Sequence, residues 1–311
     1  MVIPSKSDIE KTHTRISKYI HRTPVLTNQY IDSLVEGNIY FKCENFQKVG
    51  AFKARGALNA SLLYLEKGLI KDSIATHSSG NHAQAVAYAA KQFGLKAYIV
   101  MPSNAPEVKK RAVKDYGGQV IECTPTLEAR ESTLSEVIQE TGAFMIHPFN
   151  DYAVIAGQAT AAKELTEDVE GLDQLITPVG GGGLLSGTIL WRDYNFPQIA
   201  VFAGEPEGAD DTFRSVAANN LIPMVSPNTI ADGLLTSLGD KTFSIIRSGV
   251  KAVLCVSDEE ISKAQQLVME RMKIVIEPSS AVPLAAILRN KDLFKGKKTG
   301  LIISGGNYQM F

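Results

Sequence analysis

A single lysine, Lys53, stands between Phe52 and a run of small residues in the stretch AFKARGALNA. The preceding stretch YFKCENFQKVG is typical of a β-strand that breaks at Gly50, and the alanine-rich run predicts a helix. An amine must lose its proton before it attacks a carbonyl carbon, and apolar surroundings or nearby positive charge lower its pKa. Phe52 would supply the apolar surroundings and Arg55 the positive charge. The alternative is that Lys53 is an ordinary surface residue, as a lysine at a helix start more often is.

Four consecutive glycines follow an apolar run in PVGGGGLLSG, residues 178–187, and a helix-like segment comes after them. Glycine lets the backbone approach a ligand closely and adopt positive φ. The free amides of such a loop, at the N-terminus of a helix, form a site suited to phosphate. The pattern is neither a Walker loop nor G-x-G-x-x-G, and a flexible turn is the alternative. Taken with Lys53, a phosphate site indicates pyridoxal phosphate.

A third cluster, THSSGNHAQA at residues 76–85, lies at a predicted strand-to-helix turn. Its members at the turn itself are Ser78, Ser79, Gly80, Asn81 and His82. Hydroxyls and helix N-terminal amides together can bind a substrate carboxylate. Serine and asparagine also cap helices, so capping is the alternative interpretation, although the cluster holds more polar groups than a cap needs.

Short apolar runs alternate with helix-like segments along the chain, without an internal repeat or a long linker. Ser257 followed by Glu260 predicts a capping box at the start of one such helix. Alternating strands and helices predict an α/β fold with parallel sheets. Ligands of such sheets bind beyond the carboxyl ends of the strands, where four loops stand out: 77–82, 180–183, 205–211 and 304–307.

Composition excludes several classes of protein. The chain has 311 residues, enough for about two domains, and a net charge of −1, which does not indicate binding to nucleic acid or to an anionic membrane. No apolar run is long enough for a transmembrane helix, and the N-terminus has no secretory segment. The cysteines Cys43, Cys123 and Cys255 are widely spaced, which favours reduced thiols and a cytoplasmic location.

The stretch GEPEGADD gathers carboxylates within seven residues: Glu205, Glu207, Asp210 and Asp211. Hard cations such as Mg²⁺ and Ca²⁺ take oxygen ligands of this kind. A solvated acidic turn is the alternative, and the residues alone do not favour the metal over it.

The sequence resembles the fold-type II pyridoxal-phosphate enzymes, and among them the serine racemase and serine/threonine dehydratase group. The matching blocks span almost the whole chain: HRTPVL, FKCENFQKVGAFKARGALNA, THSSGNHAQA, HPFND, VIAGQAT, PVGGGGLLSG, GEPEGADD, TIADGL, VMERMKIVIEPSSAV and ISGGN. The resemblance implies a tryptophan synthase β-like α/β fold with two parallel-sheet domains and the active site in the cleft between them. Residues 1–70 and 150–311 would form the large cofactor domain, and residues 71–149 an inserted small domain. A homodimer is also implied.

The resemblance implies a role for each matching position. Lys53 would link covalently to the cofactor and act as general base, and Ser79 would be the second acid that racemisation requires on the opposite face. Phe52, Asn81 and Ser304 would contact the cofactor ring, with Asn81 at the phenolic oxygen and Ser304 at the pyridine nitrogen. Its phosphate would bind to the glycine loop: Gly180, Gly181, Gly182, Gly183 and Leu184. The substrate would contact Ser78, Ser79, Asn81 and His82. Mg²⁺, or Ca²⁺ or Mn²⁺ in its place, would be held by Glu205, the carbonyl of Ala209 and Asp211.

The implied reaction is elimination of water and ammonia from L-serine or L-threonine, with racemisation of serine. Elimination from 3-hydroxyaspartate is an alternative substrate choice. A β-replacement synthase and a non-catalytic cofactor-binding protein are the other hypotheses.

Animal serine racemases also bind ATP, and five residues here match that site: Lys48, Gln84, Tyr116, Lys273 and Asn307. Val49 and the pair Asn28-Gln29 depart from the pattern, which argues against activation by nucleotide. Phe149 stands where the animal enzymes have an asparagine near the cofactor. A C-terminal regulatory domain of the threonine dehydratase kind is not expected.

Overall fold

The computed structural model describes residues 2–309. Its α-helices, numbered in chain order, are α1 (Lys6–Ile16), α2 (Gln29–Val35), α3 (Lys53–Glu66), α4 (Asn81–Phe93), α5 (Glu107–Asp115), α6 (Leu127–Thr141), α7 (Tyr152–Asp168), α8 (Gly183–Asn195), α9 (Asp211–Ala218), α10 (Asp240–Gly249), α11 (Asp258–Met272), α12 (Pro278–Arg289) and α13 (Lys291–Phe294). Its strands are β1 (Val25–Leu26), β2 (Asn38–Cys43), β3 (Ser73–His77), β4 (Lys96–Pro102), β5 (Gln119–Cys123), β6 (Phe144–Met145), β7 (Gln174–Pro178), β8 (Ala200–Pro206), β9 (Ala252–Val256) and β10 (Lys298–Ile303).

The strands form two sheets. The larger has the order β1-β2-β10-β7-β8-β9, and the smaller has the order β5-β4-β3-β6. Every pairing is parallel except that of β1 with β2, so the carboxyl ends of the other strands of each sheet share one edge. In the larger sheet, this edge brings together the loops that follow β10, β7 and β8. The smaller sheet uses strands between Ser73 and Met145, and the domain boundaries at 71 and 149 stay a prediction.

Local sequence signals mark several element ends. α3 begins at Lys53, and α4 ends at Phe93, followed by Gly94 in left-handed φ as its C-cap. The capping box of Ser257 and Glu260 is present at the start of α11. The three cysteines are free.

Helices cover both sheets and bury most of the apolar residues. One apolar cluster packs α3 and α4 against β3 and β4, and two further clusters pack α7, α8, α11 and α12 around the larger sheet. The central strands β7, β8 and β10 of the larger sheet are covered on both faces, so their side chains are buried almost continuously, whereas the edge strand β5 of the smaller sheet has no buried residue. Within residues 2–309 no helix combines the length and the apolarity that a membrane span requires.

Candidate active site

Lys53 is held where the chain crosses the carboxyl edge of the larger sheet. Ala51 pairs with Gly305 through a β-bridge, and the amide of Phe52 donates to the carbonyl of Ser304 at 3.0 Å. These bonds fix the backbone just before Lys53. Its Nζ donates to the carbonyl oxygen of Pro148 at 2.9 Å and lies 5.2 Å from the centre of the Phe52 ring. Burial of this amine lowers its pKa to about 8, which leaves a sizeable unprotonated fraction near neutral pH.

The expected contribution of Arg55 to this low pKa is wrong. Arg55 has no exposed surface and lies in a separate ion cluster, where it donates to both oxygens of Glu44 and both oxygens of Glu164. Two residues along a helix point to different faces, so Arg55 is turned away from the Lys53 amine. The charge that does act on Lys53 is that of Glu277, which opposes the effect of burial.

The glycine loop packs tightly against the segment after β6. A Cβ added to Gly181 would lie 2.2 Å from the ring of Phe149, and Gly182 has a φ of +83° as the N-cap of α8. Packing therefore accounts for these two glycines without any ligand. The loop remains suited to an anion, however, because the amides of Gly180, Gly181 and Gly182 donate to no acceptor in the described part of the chain.

The segment after β6 connects the glycine loop with Lys53. His147 Nδ1 accepts from the amides of Phe149 and Asn150, at 3.2 and 2.8 Å, and burial lowers the pKa of His147 to about 4. A neutral His147 thus fixes the turn that aims the Pro148 carbonyl at Lys53 and the Phe149 ring at Gly181. Phe149 is therefore part of the site and not only a departure from a motif.

The turn after β3 divides its polar groups between the fold and the cleft. His82 is buried, and its Nε2 donates to the carbonyl of Ile146 at 3.1 Å, so the side chain is used within the protein. Burial holds the pKa of His82 well below the ordinary range, which keeps the ring neutral. The hydroxyl of Ser78 accepts from the amide of Gly80 at 3.3 Å, whereas the hydroxyl of Ser79 makes no hydrogen bond to any described residue. The fold therefore uses the side chains of His82 and Ser78, and it leaves the Ser79 hydroxyl without a hydrogen-bond partner in the described chain.

Glu277 is a site residue that the motif analysis did not single out. It is buried directly before Pro278, the first residue of α12, and both its oxygens accept from Asn81 Nδ2 at 3.0 Å. Asn81 Oδ1 accepts in turn from Asn307 at 2.8 Å. Burial raises the pKa of Glu277 to about 7, and the bond from Asn81 opposes that rise. An acidic residue inside the apolar stretch KIVIEPSSAV was the signal in the sequence.

Ser304 lies beside Glu277 at the end of β10. Its Oγ is 2.8 Å from the Oγ of Ser280, which also donates to the carbonyl of Gly305. Lys53, Asn81, Ser304 and the glycine loop therefore surround one cleft between the carboxyl edges of the two sheets.

The acidic loop separates its four carboxylates into two pairs. Glu207 and Asp210 make ion pairs with Arg289 and Arg214, and both are partly exposed. Glu205 and Asp211, by contrast, have no exposed surface and form no ion pair among residues 2–309. Their contacts are with the backbone.

Backbone amides hold the two buried carboxyls in place. Glu205 accepts from the amides of Thr212 and Phe213, at 2.9 and 2.8 Å, and Asp211 Oδ2 accepts from the amide of Leu238 at 3.0 Å. Burial raises the pKa of Glu205 to about 8 and that of Asp211 to about 6. Asp211 Oδ1 is buried without a hydrogen-bond partner in the described chain.

Two buried carboxyls with an orphaned oxygen are a donor set that a hard cation would satisfy. No cluster of three His, Cys, Asp or Glu side chains able to hold a metal is found within residues 2–309. A cation here would therefore also need backbone oxygens such as the Ala209 carbonyl.

Comparison with known proteins identifies the family. The family described as pyridoxal-phosphate dependent enzyme matches residues 16–305. The chain belongs to this family. It is 52% identical to the serine racemase of Dictyostelium discoideum, over 100% of this chain and 97% of that protein. It is 47% identical to the beta-hydroxyaspartate dehydratase of Paracoccus denitrificans, over 100% of this chain and 98% of that protein.

Solved structures confirm the fold class. A threonine deaminase from T.th. is 40% identical and superposes with a TM-score of 0.93, covering 99% of this chain and 100% of that one. The chain is thus an α/β protein of the fold-type II class of pyridoxal-phosphate enzymes. Family members include isomerases and lyases, and this chain is an enzyme that uses pyridoxal phosphate.

The five residues that match the ATP site of animal serine racemases do not form one bonded cluster in this protein. Asn307 donates to the carbonyl of Val49 as well as to Asn81, so it supports the active site. Gln84 is buried on α4, and Tyr116 packs edge-on against Tyr88. Within residues 2–309 no hydrogen bond or ion pair joins any two of the five side chains, which are Lys48, Gln84, Tyr116, Lys273 and Asn307. Their nucleotide role stays a prediction.

Proposed function

We propose that this enzyme eliminates water from L-serine and L-threonine, that hydrolysis of the released enamine gives ammonia with pyruvate or 2-oxobutanoate, and that the enzyme also racemises serine. The observation that carries the proposal is the amine of half-buried Lys53, with a pKa lowered to about 8, beside the ring of Phe52. It lies in a chain 52% identical to a serine racemase. A base with a pKa near the working pH is suited to taking a proton from carbon.

Pyridoxal phosphate, when bound, withdraws electrons from the substrate and weakens the bond between the α-carbon and its hydrogen. The amides of the glycine loop, Gly180–Gly183 with Leu184, would hold the phosphate, because three of them have no protein acceptor. Asn81 and Ser304 would contact the ring of the cofactor beside Phe52. Helix amides at the start of α4 and the hydroxyl of Ser78 would hold the substrate carboxylate, with the buried side chain of His82 shaping that turn.

Proton transfer is assigned to two residues. Lys53 Nζ would take the α-proton on one face of the substrate. Ser79 Oγ, which is not bound to another described residue, would exchange a proton on the opposite face. Elimination from an L-substrate requires the first transfer, and racemisation requires both. Movement of the smaller sheet over the cleft would exclude water from these steps.

A second candidate is elimination of ammonia from threo-3-hydroxyaspartate. It is supported by the 47% identity to a beta-hydroxyaspartate dehydratase over the whole chain.

A β-replacement synthase is less well supported. Adding sulfide or indole to a reaction with serine tests this alternative. Absence of a substituted amino acid would reject that alternative.

We also propose a divalent cation, Mg²⁺ or alternatively Ca²⁺ or Mn²⁺, held by Glu205, the Ala209 carbonyl and Asp211. The buried, unpaired state of the two carboxyls supports it.

The proposal has three further parts. The chain would form two domains, residues 1–70 with 150–311 and residues 71–149. It would assemble as a homodimer, and its location would be cytoplasmic. Size-exclusion chromatography with light scattering tests the dimer.

One substrate panel decides between the activities. L-serine, D-serine, L-threonine and the 3-hydroxyaspartates would be incubated with the holoenzyme, with and without Mg²⁺, and products resolved by chiral chromatography. Pyruvate and D-serine from L-serine support the first proposal. Turnover of 3-hydroxyaspartate alone would replace it with the second.

A further inference from the structure

The segment 228–238, named the strap here, runs from the acidic loop to the mouth of the cleft. The amide of Asn228 donates to the carbonyl of Gly208 at 2.9 Å, and the amide of Leu238 donates to Asp211 Oδ2 at 3.0 Å. Both ends of the strap are therefore attached to the acidic loop. Between them lies a short 3₁₀ turn, Asp232–Leu234.

The middle of the strap is fixed to the helices α11 and α12, which pack on the larger sheet. Asp258 at the start of α11 accepts from the hydroxyl of Thr229 and the amide of Ile230, at 2.5 and 3.1 Å. The amide of Gly233 donates to Ser279 Oγ at 2.9 Å. The Cα of Leu234 lies so near the glycine loop that a Cβ on Gly180 would approach it to 2.9 Å. The carboxylate of Asp232 thus projects from a well-anchored backbone.

Lys109 reaches the carboxylate of Asp232 from the part of the chain that forms the smaller sheet. It lies on α5, and its Nζ donates to Asp232 Oδ2 across 123 positions of sequence. The adjacent lysine has a different partner: Lys110 Nζ binds Glu122 Oε1 and the carbonyl of Ser103, both at 2.8 Å. Lys110 therefore ties α5 to its own sheet, while Lys109 points outward to the strap, since neighbouring helix positions face different directions.

The pair lies at the mouth of the active-site cleft. Both charges act on buried Glu277, where Asp232 raises its pKa and Lys109 lowers it. Within residues 2–309, Lys109–Asp232 is the one ion pair that joins the part of the chain from Ser73 to Met145 with the rest. Lys109 is 23% exposed and Asp232 50% exposed, so water can reach the pair and its formation can be reversible.

We propose that Lys109 and Asp232 form a latch that holds the smaller sheet over the cleft and closes the active site. The proposal deepens the proposed function, because closure would retain the substrate and exclude water during proton transfer. The latch positions the turn at residues 78–82, which carries Ser79, above Lys53. Neither Lys109 nor Asp232 contacts the reacting atoms, so both are positioning residues.

Hydrogen–deuterium exchange of the holoenzyme tests closure without using catalysis. Asp232→Asn and Lys109→Gln should each speed exchange of amides in residues 78–82 and in α5. Glu259→Gln and Lys263→Gln are the matched controls, because this exposed pair lies within the single helix α11 and joins no separate parts. Exchange in Asp232→Asn no faster than in Glu259→Gln would overturn the latch.

Kinetics and a charge swap add a second readout. Each single variant should lower kcat/KM about twofold to fivefold, mainly through KM, since partly exposed ion pairs contribute little more. High salt should lower kcat/KM of the wild type toward that of the variants. Lys109→Asp combined with Asp232→Lys should restore protection and kcat/KM, and a swap no better than the worse single variant would reject a direct pairing. Because exchange is measured without turnover, loss of the latch and failure of the proposed reaction are distinguishable.

Discussion

The Nζ of Lys53 lies 2.9 Å from the carbonyl oxygen of Pro148, to which it donates a hydrogen bond. The residue before Lys53, Phe52, is bonded to Ser304 at the end of β10 in the larger sheet, whereas Pro148 follows the last strand of the smaller sheet. The amine is therefore held at the junction of the two sheets, where burial lowers its pKa to about 8. The surroundings of this amine therefore depend on how the two sheets are placed relative to each other.

Replacing Lys53 with alanine should abolish elimination and racemisation while the fold survives, because the proposed function makes this one amine both cofactor partner and base. Borohydride reduction of the holoenzyme followed by peptide mapping should place the cofactor on Lys53. Lys263→Ala, at an exposed position on α11, should keep full activity. A label on any other lysine would contradict the assignment.

Ser79→Ala should separate the two reactions. D-serine formation from L-serine should vanish, whereas pyruvate formation should fall much less, because a positioned acid or base contributes about 10²–10⁴-fold only to the steps it serves. Ser78→Ala is the matched control, since it should weaken both reactions together through the carboxylate pocket. The measurement is the ratio of D-serine to pyruvate, and an unchanged ratio in Ser79→Ala would assign the second face to another group.

Metal removal should lower the melting temperature, and Mg²⁺ should restore it. A cation at 100 times its dissociation constant would stabilise the folded state by about 2.7 kcal/mol. Glu205→Gln should abolish this response, whereas Glu207→Gln should retain it, because Glu207 pairs with Arg289 at the surface. Identical melting curves for chelated and Mg²⁺-loaded wild type would exclude the site.

Glu277 should make the cofactor-free protein less stable as pH rises. Its pKa is about 7 in the folded state against 4.5 for the free group, so the folded state binds more protons between these values. The free energy of unfolding should fall over this window by about 3 kcal/mol and then level off. Urea titrations of wild type and Glu277→Gln at several pH values measure it. A wild-type slope identical to that of Glu277→Gln would show that Glu277 is not protonated in the fold.

Arg55→Met should lower the free energy of unfolding by about 3–5 kcal/mol, since Glu44 would remain as a buried charge without an ion-pair partner in the described chain, whereas Glu164 would keep its pair with Lys42. Arg289→Met, a control at a partly exposed position, should cost about 1 kcal/mol or less. Urea unfolding compares the two. Equal losses would mean that the buried cluster does not stabilise the start of α3.

The sequence by itself determined the elements and the loops that carry chemistry. Periodicity and capping signals are local, so the helix around the alanine-rich run after Lys53, the C-cap of α4 at Gly94 and the capping box at Ser257 follow from neighbouring residues. Parallel strands then require that the loops after β7, β8 and β10 meet at one edge, which places the glycine loop near Ser304.

The tertiary structure alone decided which side chains face one another. Asn81 meets Glu277 across 196 positions, and Lys109 meets Asp232 across 123. The direction of Arg55, away from the Lys53 amine and into the cluster of Glu44 and Glu164, also depends on how α3 packs against α7. Such contacts depend on the relative placement of whole sheets and helices, and no local pattern in the sequence encodes that placement.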